Sequence, residues 1–201
     1  MTIARAPQQE RSRLTRERLL SSCIDVLARD GWAAATVAAV AENAGVSRGA
    51  AQHHFPTREA LITAALEQMF DELTTSASAR PGGLPAPGPD RIRAVVERAV
   101  AIYTGTEFKA ALQVWAAAAS DPTLRELILP MEEKFARAAH RMTVLALDPT
   151  GEDERVHRLA QVTLDLARGL GLADTLSDDS ARRALVVATW SDQLVEVLGD
   201  R

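Results

Sequence analysis

The sequence has few of the features that stabilise or anchor a chain from outside a packed core. It holds a single cysteine, Cys23, so no intramolecular disulfide can form. Cys23 falls among Leu19, Leu20, Ile24 and Leu27 at helical spacing, where a thiol ordinarily serves as a small buried hydrophobe; a redox sensor is the alternative. No apolar run approaches the roughly 20 residues that a membrane span needs. Residues 1–12 lack the apolar core of a signal peptide, so a cytoplasmic location is expected. No segment alternates polar and apolar residues as a half-buried strand does. Also missing are a Ser/His/Asp order, a Cys–His pair, a glycine-rich phosphate loop and any spacing suited to a metal. His53 and His54 are adjacent, about 100° apart on a helix, and His140 and His157 are distant in sequence, so neither pair forms a metal site. Neither a cofactor nor an enzymatic activity is expected.

The 201 residues are 47 % apolar and 25 % charged, enough to bury a core in one large or two small domains. Charge is unevenly spread. Residues 1–60 hold eight arginines against six acids, whereas the remainder carries fifteen bases against twenty-one acids. Arg5, Arg11, Arg13, Arg16 and Arg18 crowd the first twenty residues against only Glu10 and Glu17, a local excess that a polyanion could exploit and that a solvated face also explains.

Helical periodicity dominates the chain from Thr15 onward. Apolar residues at 19, 20, 23, 24, 27 and 28 predict an amphipathic helix over 15–30, capped by Thr15 and ended by Gly31. Residues 1–12 are expected to be unstructured. Thr36 and Ser47 are candidate N-caps of two short helices, over 36–44 and from 47 to Phe55, separated by Gly45 and closed by Pro56. Thr57 caps a fourth, longer helix, and Asp121 followed by Pro122 resembles a cap with proline at the first helical position further on. The stretch RPGGLPAPGPD at 80–90, with four prolines and three glycines, cannot hold regular structure. Helices are expected again near 92–103, 108–119 and 124–147, then at about 153–172 and 178–198. Pro130 lies inside the third of these stretches and should kink it or break it in two.

The segment TVAAVAENAGVSRGAAQHHFPTREAL, Thr36 to Leu61, has the lengths of a helix-turn-helix, whose second helix lies in the major groove of DNA. Helical period turns Ala51 and Phe55 inward and leaves Arg48, Gly49, Gln52 and His53 on the outward, leading surface. Small residues at Gly49 and Ala50 allow close approach to the duplex. Arg48 could pair with guanine and Gln52 with adenine in that groove. Thr36 and Ser47, with free amides at helix N-termini, suit phosphate.

Residues TRERLL at 15–20, AENAGVSRG at 41–49 and HHFPTREAL at 53–61 resemble the tetracycline-repressor (TetR) family of bacterial transcription regulators. The resemblance covers about residues 12–65. It implies an all-α chain of about nine helices, with a DNA-binding head over 1–56 and a larger ligand-binding and dimerisation domain over 57–201. It also implies a homodimer on a palindromic operator, released by a small-molecule effector and acting as a repressor or an activator. Thr36, Ser47, Arg48, Gln52, His53 and His54 fall where such proteins touch DNA, and Arg58 where a basic residue reaches phosphate. Tyrosine often stands in the family at the positions of Gln52 and His54, which leaves open whether these two side chains contact bases, phosphates or only solvent.

Tyr103, Phe108, Trp115, Met131, Phe135 and Met142 are the bulky candidates for the effector cavity, with core packing as the simpler role for each. Gln113, His140 and Asp165 are the polar candidates. The closing helices, about 153–172 and 178–198, are expected to pair with those of a second copy, with Gly169, Gly171 and Ala173 permitting close approach. Two readings compete with the regulator: an architectural DNA-binding protein without ligand control and, more remotely, a helical enzyme.

Overall fold

A computed structural model describes residues 5–79 and 83–199 and contains, among those residues, nine helices and no strand. The helices are α1 (Arg5–Ala34), α2 (Val37–Asn43), α3 (Arg48–His54), α4 (Arg58–Ala79), α5 (Pro89–Tyr103), α6 (Thr106–Ser120), α7 (Pro122–Leu147), α8 (Glu154–Asp174) and α9 (Ser180–Leu198). No helix among the described residues is long and apolar enough to cross a membrane.

Helix α1 begins ten residues earlier than its apolar stripe suggests, so residues 5–12 are helical rather than unstructured; residues 1–4 lie outside the described set. The early turns are held by charge. Arg13 bridges Glu10 and Glu17, each at 2.5 Å, one turn to either side of it. Pro7 sits in the first turn, where its missing N–H costs nothing. Thr15 therefore lies inside the helix and donates its hydroxyl to the Arg11 carbonyl at 2.8 Å instead of capping. Gly31 does interrupt the helical path, with φ 82°.

Elsewhere the expected signals hold. Thr57 accepts from the Ala60 amide at 3.1 Å, and Asp121 accepts from Leu124 at the start of α7. Residues 83–88 are non-helical and 80–82 lie outside the described set, whereas Pro89 and Asp90, expected in the loop, open α5, where proline fits the first helical position. Pro130 does not split α7, which runs unbroken past it, with Leu124, Ile128, Met131, Phe135 and Ala139 buried along one face. Burial of that stripe stabilises the helix enough to outweigh the lost hydrogen bond.

Packing divides the chain into two compact units. One comprises the residues through Phe70 together with Lys109–Met131; the other comprises Asp71–Phe108 with Glu132 onward. In the first unit, Leu19, Leu20, Cys23, Val26 and Leu27 of α1 are buried along with Val40, Ala41, Ala51, Phe55, Leu61 and Ile62. In the second, α5 packs on α8 and α9, and Ile92, Val96, Val144, Val156, Ala160, Leu194 and Leu198 form a common core. The Trp190 indole donates to the Thr163 hydroxyl at 2.9 Å, which in turn donates to the Leu159 carbonyl, so the indole and the hydroxyl are both paired across α8 and α9.

Gly171 has a packing role inside this second unit. A Cβ there would stand 1.9 Å from the Tyr103 carbonyl oxygen and 2.8 Å from the Phe108 ring, so only glycine lets α8 lie this close to the end of α5. A Cβ at Gly169 meets nothing within 4 Å. Gly171→Ala is therefore expected to destabilise the protein by about 1–3 kcal/mol, whereas Gly169→Ala should leave it unchanged or slightly more stable; urea unfolding of the two variants measures both.

Candidate nucleic-acid interface

Seven residues make α3, too few for a helix to persist unaided, so its geometry is set at its ends. Before it, α2 starts from extended Thr36, whose hydroxyl accepts from the Ala39 amide at 3.1 Å. At the other end of α2 the amide of Gly45 bonds the Glu42 carbonyl and that of Val46 bonds Ala41, the paired closure in which the residue after the cap takes a left-handed conformation. Gly45 has φ 62°, a conformation glycine adopts without strain. Ser47 then caps α3 by accepting from Ala50 at 3.2 Å. Phe55, extended at φ −136°, ends it ahead of Pro56.

Within α3, Ala51 is buried and faces the core with Phe55, while Arg48, Gly49, Gln52 and His53 are exposed on the opposite side. Nothing lies within 4 Å of a Cβ placed at Gly49, so the surface there is open to an approaching partner. Ala50 and His54 are half-buried. The His54 ring lies edge-on to His53, at 5.9 Å, and near Phe55. Burial, and then the charges of His53 and Arg16, hold its imidazole below the usual histidine range.

Arg58 is turned inward. Its guanidinium lies 4.0 Å from the centre of the Trp32 ring and donates to the Trp32 carbonyl, and its Nε is buried without a hydrogen-bond partner. Sequence alone offered no sign of this pairing, since Trp32 stands 26 residues away. Two further networks were equally hidden. The Asn43 amide donates to Ser22, whose hydroxyl donates to the Val40 carbonyl, while Arg29 donates to the Asn43 oxygen. Arg18 reaches the α2–α3 turn, donating to the Ala44 carbonyl at 2.5 Å and to that of Gly45 at 3.4 Å.

Of the nine cavity candidates, six lie in the second unit and three in the first. Tyr103 and Phe108 meet edge-to-face at 5.4 Å, both buried, with the Arg168 guanidinium 5.3 Å from the centre of the tyrosine ring. Phe135 is buried in the same unit. His140 is half-buried and donates from Nε2 to the His157 carbonyl at 3.1 Å. Asp165 is exposed and paired with Gln161 and Arg168. Met142 borders a cavity of about 20 Å³ with Val95, Ile102 and Thr143. Gln113, Trp115 and Met131 belong to the other unit, where the Gln113 side chain abuts Gly31. A groove of about 440 Å³ runs between α5 and α9, bordered by Arg93, Glu97, Val100, Arg183, Val187 and Ser191 and by none of the nine candidates.

Two measurements check the packing of the head. Burial pushes the Cys23 thiol up to about 12, so a thiol reagent at pH 8 should label the protein only as fast as the head opens, and Arg58→Met should speed that labelling. For His54, the folded state resists protonation, so its contribution to stability is present above the ordinary histidine value near 6.5 and is lost as pH falls below it. His54→Gln should flatten the decline in stability between about pH 6.5 and 5, measured by urea unfolding.

Residues 19–65 match the family described as bacterial regulatory proteins, tetR family. The chain is 36 % identical over 126 residues to the HTH-type transcriptional regulator CymR of Pseudomonas putida, an alignment covering 63 % of this chain and 62 % of that protein. It is 28 % identical over 195 residues to the regulator BetI of Brucella anthropi, covering 94 % of this chain and 96 % of that protein. A solved transcriptional regulator from Rhodococcus sp. Rha1 superposes with a TM-score of 0.67 at 26 % identity, covering 91 % of this chain and 95 % of that one. The capped helix-turn-helix thus lies within the segment that matches the tetR family of bacterial regulatory proteins, and the chain as a whole is similar to bacterial transcription regulators.

Proposed function

We propose that this chain is a cytoplasmic repressor that binds a palindromic operator as a homodimer and leaves it when a small molecule binds its C-terminal helices. The observation that carries the reading is the exposed face of α3. Arg48, Gly49, Gln52 and His53 stand clear of the core on a helix capped at its start, the placement that a base-reading helix requires. In this reading 1–56 is the DNA-binding head and 57–201 the regulatory part. Arg48 reads a guanine edge, Gln52 and His53 neighbouring bases, and Gly49 and Ala50 admit the duplex. Thr36, Ser47 and His54 lie along the phosphates. Arg58 acts from behind, holding the end of α1 through Trp32.

The dimer reading is supported by apolar side chains left in water. Leu172 on α8 is 54 % exposed and Leu185 on α9 is 71 % exposed, with Val162 and Val197 also uncovered on the same two helices. Exposed apolar area on adjacent helices is what a second copy would cover, forming a four-helix bundle. Two heads then meet successive major grooves about 34–36 Å apart. An effector near Tyr103, Phe108, Phe135, His140 and Met142 shifts DNA affinity only as far as it prefers one head spacing over the other.

Selection from a random DNA pool tests the whole reading and should return an inverted repeat, whereas recovery without sequence preference contradicts it. Arg48→Ala should relax preference at one position per half-site, at a cost of about 1–3 kcal/mol against the cognate base. Leu185→Glu should give a monomer in sedimentation and abolish operator binding while the helical spectrum is retained.

A further inference from the structure

The arginine-rich start of the chain offers charge that DNA could attract, yet the structure engages much of it elsewhere. Arg13 is held between Glu10 and Glu17. Arg18 is directed at the turn that leads into α3, and Arg16 at the residue that ends α3. After the Gly45 and Val46 amides close α2, the carbonyls of Ala44 and Gly45 remain at the negative end of that helix, and the Arg18 guanidinium takes both, at 2.5 and 3.4 Å. A Cβ at Gly45 would stand 3.1 Å from the same guanidinium, so the turn and the arginine are closely fitted. At the far end of α3, the Arg16 guanidinium lies 5.5 Å from the centre of the Phe55 ring, whose side chain is the buried stop of the helix. Two residues apart on α1, these side chains leave it in different directions, one meeting the turn that leads into α3 and the other the residue that ends α3.

We infer that Arg18 and Arg16 are positioning residues for DNA reading: they set the pitch of α3 against α1 and do not themselves neutralise phosphates. The inference rests on the proposal that α3 reads the operator. It separates two kinds of arginine that composition cannot distinguish. A phosphate-binding arginine contributes to affinity for every sequence and to its salt dependence. One that fixes the recognition helix contributes to the cognate site alone, because non-specific binding tolerates a tilted helix.

The test uses the whole chain and the sequence selected by the wild type. Arg18→Met, Arg18→Lys and Arg16→Met are titrated against that duplex and against a scrambled one over a salt series, at a temperature where circular dichroism shows each variant folded. For Arg18→Met, affinity for the selected duplex should fall about tenfold or more, the scale of a lost hydrogen bond from a charged group. The scrambled duplex and the slope of log affinity against log salt should stay unchanged. Arg18→Lys, which keeps a donor for the Ala44 carbonyl, should recover part of the loss, and Arg16→Met should show the same selective loss at smaller size. A salt slope lowered by about one per head, equal losses on both duplexes, or undiminished binding to the selected site would overturn the assignment. Should Arg18→Met not fold, the same readouts on Arg18→Lys decide: a selective loss with an unchanged slope supports the assignment, and any other pattern overturns it. A wild type that selects no sequence would contradict the underlying reading instead.

Discussion

Everything proposed for this protein depends on a short helix being held from outside itself. Seven residues cannot repay the cost of helix nucleation in water, so the position of α3 is decided by its caps, by the turn before it and by the face of α1 on which it rests. Ser47 satisfies an amide at its start, the Gly45 turn closes the preceding helix, and buried Ala51 and Phe55 tie it to the core. The exposed face inherits its orientation from those buried contacts. Polar ties that cross between helices, from Ser22 and Asn43, from Arg18 and from Arg58, add direction to an apolar core that alone would allow α2 and α3 to slide.

The second unit works by a different constraint. Its helices are longer and internally well formed, and the limiting feature is how closely two of them approach. Gly171 brings the α8 backbone against the carbonyl of Tyr103, and that residue also takes part in the aromatic pair with Phe108. Movement of α8 on α5 is therefore coupled to the most buried aromatic side chains in the region. Such coupling is what ligand control requires, since an effector must distinguish two arrangements of the same helices.

Much of this was legible in the sequence, and the reasons are local. Caps at Thr36, Ser47, Thr57 and Asp121 appear in the structure because a hydroxyl or carboxylate next to orphan amides has few competing uses. The inward placement of Ala51 and Phe55 followed from helical period alone. Failures came where the deciding contact was distant or hidden under another signal. Residues 5–12 read as polar and unstructured because ion pairs from Arg13, not an apolar stripe, hold that part of α1. The inward turn of Arg58 depends on Trp32, and no periodicity links two residues 26 apart. At Gly171, glycine in a helix signals close approach without naming the neighbour, and the Tyr103 carbonyl beside it was not legible. The cavity candidates were chosen by size and chemistry on helices, and those properties suit ordinary core packing as well, as the edge-to-face pair of Tyr103 and Phe108 illustrates.

The central claim is that the exposed face of α3 reads the major groove. Methylation interference on the selected duplex tests it most directly, because methyl groups at guanine N7 project into the major groove and those at adenine N3 into the minor one. Methylation at N7 should block binding in two patches about one helical turn apart, centred 34–36 Å from each other, with N3 methylation between them tolerated. Interference confined to N3, or spread evenly along the duplex, would contradict it.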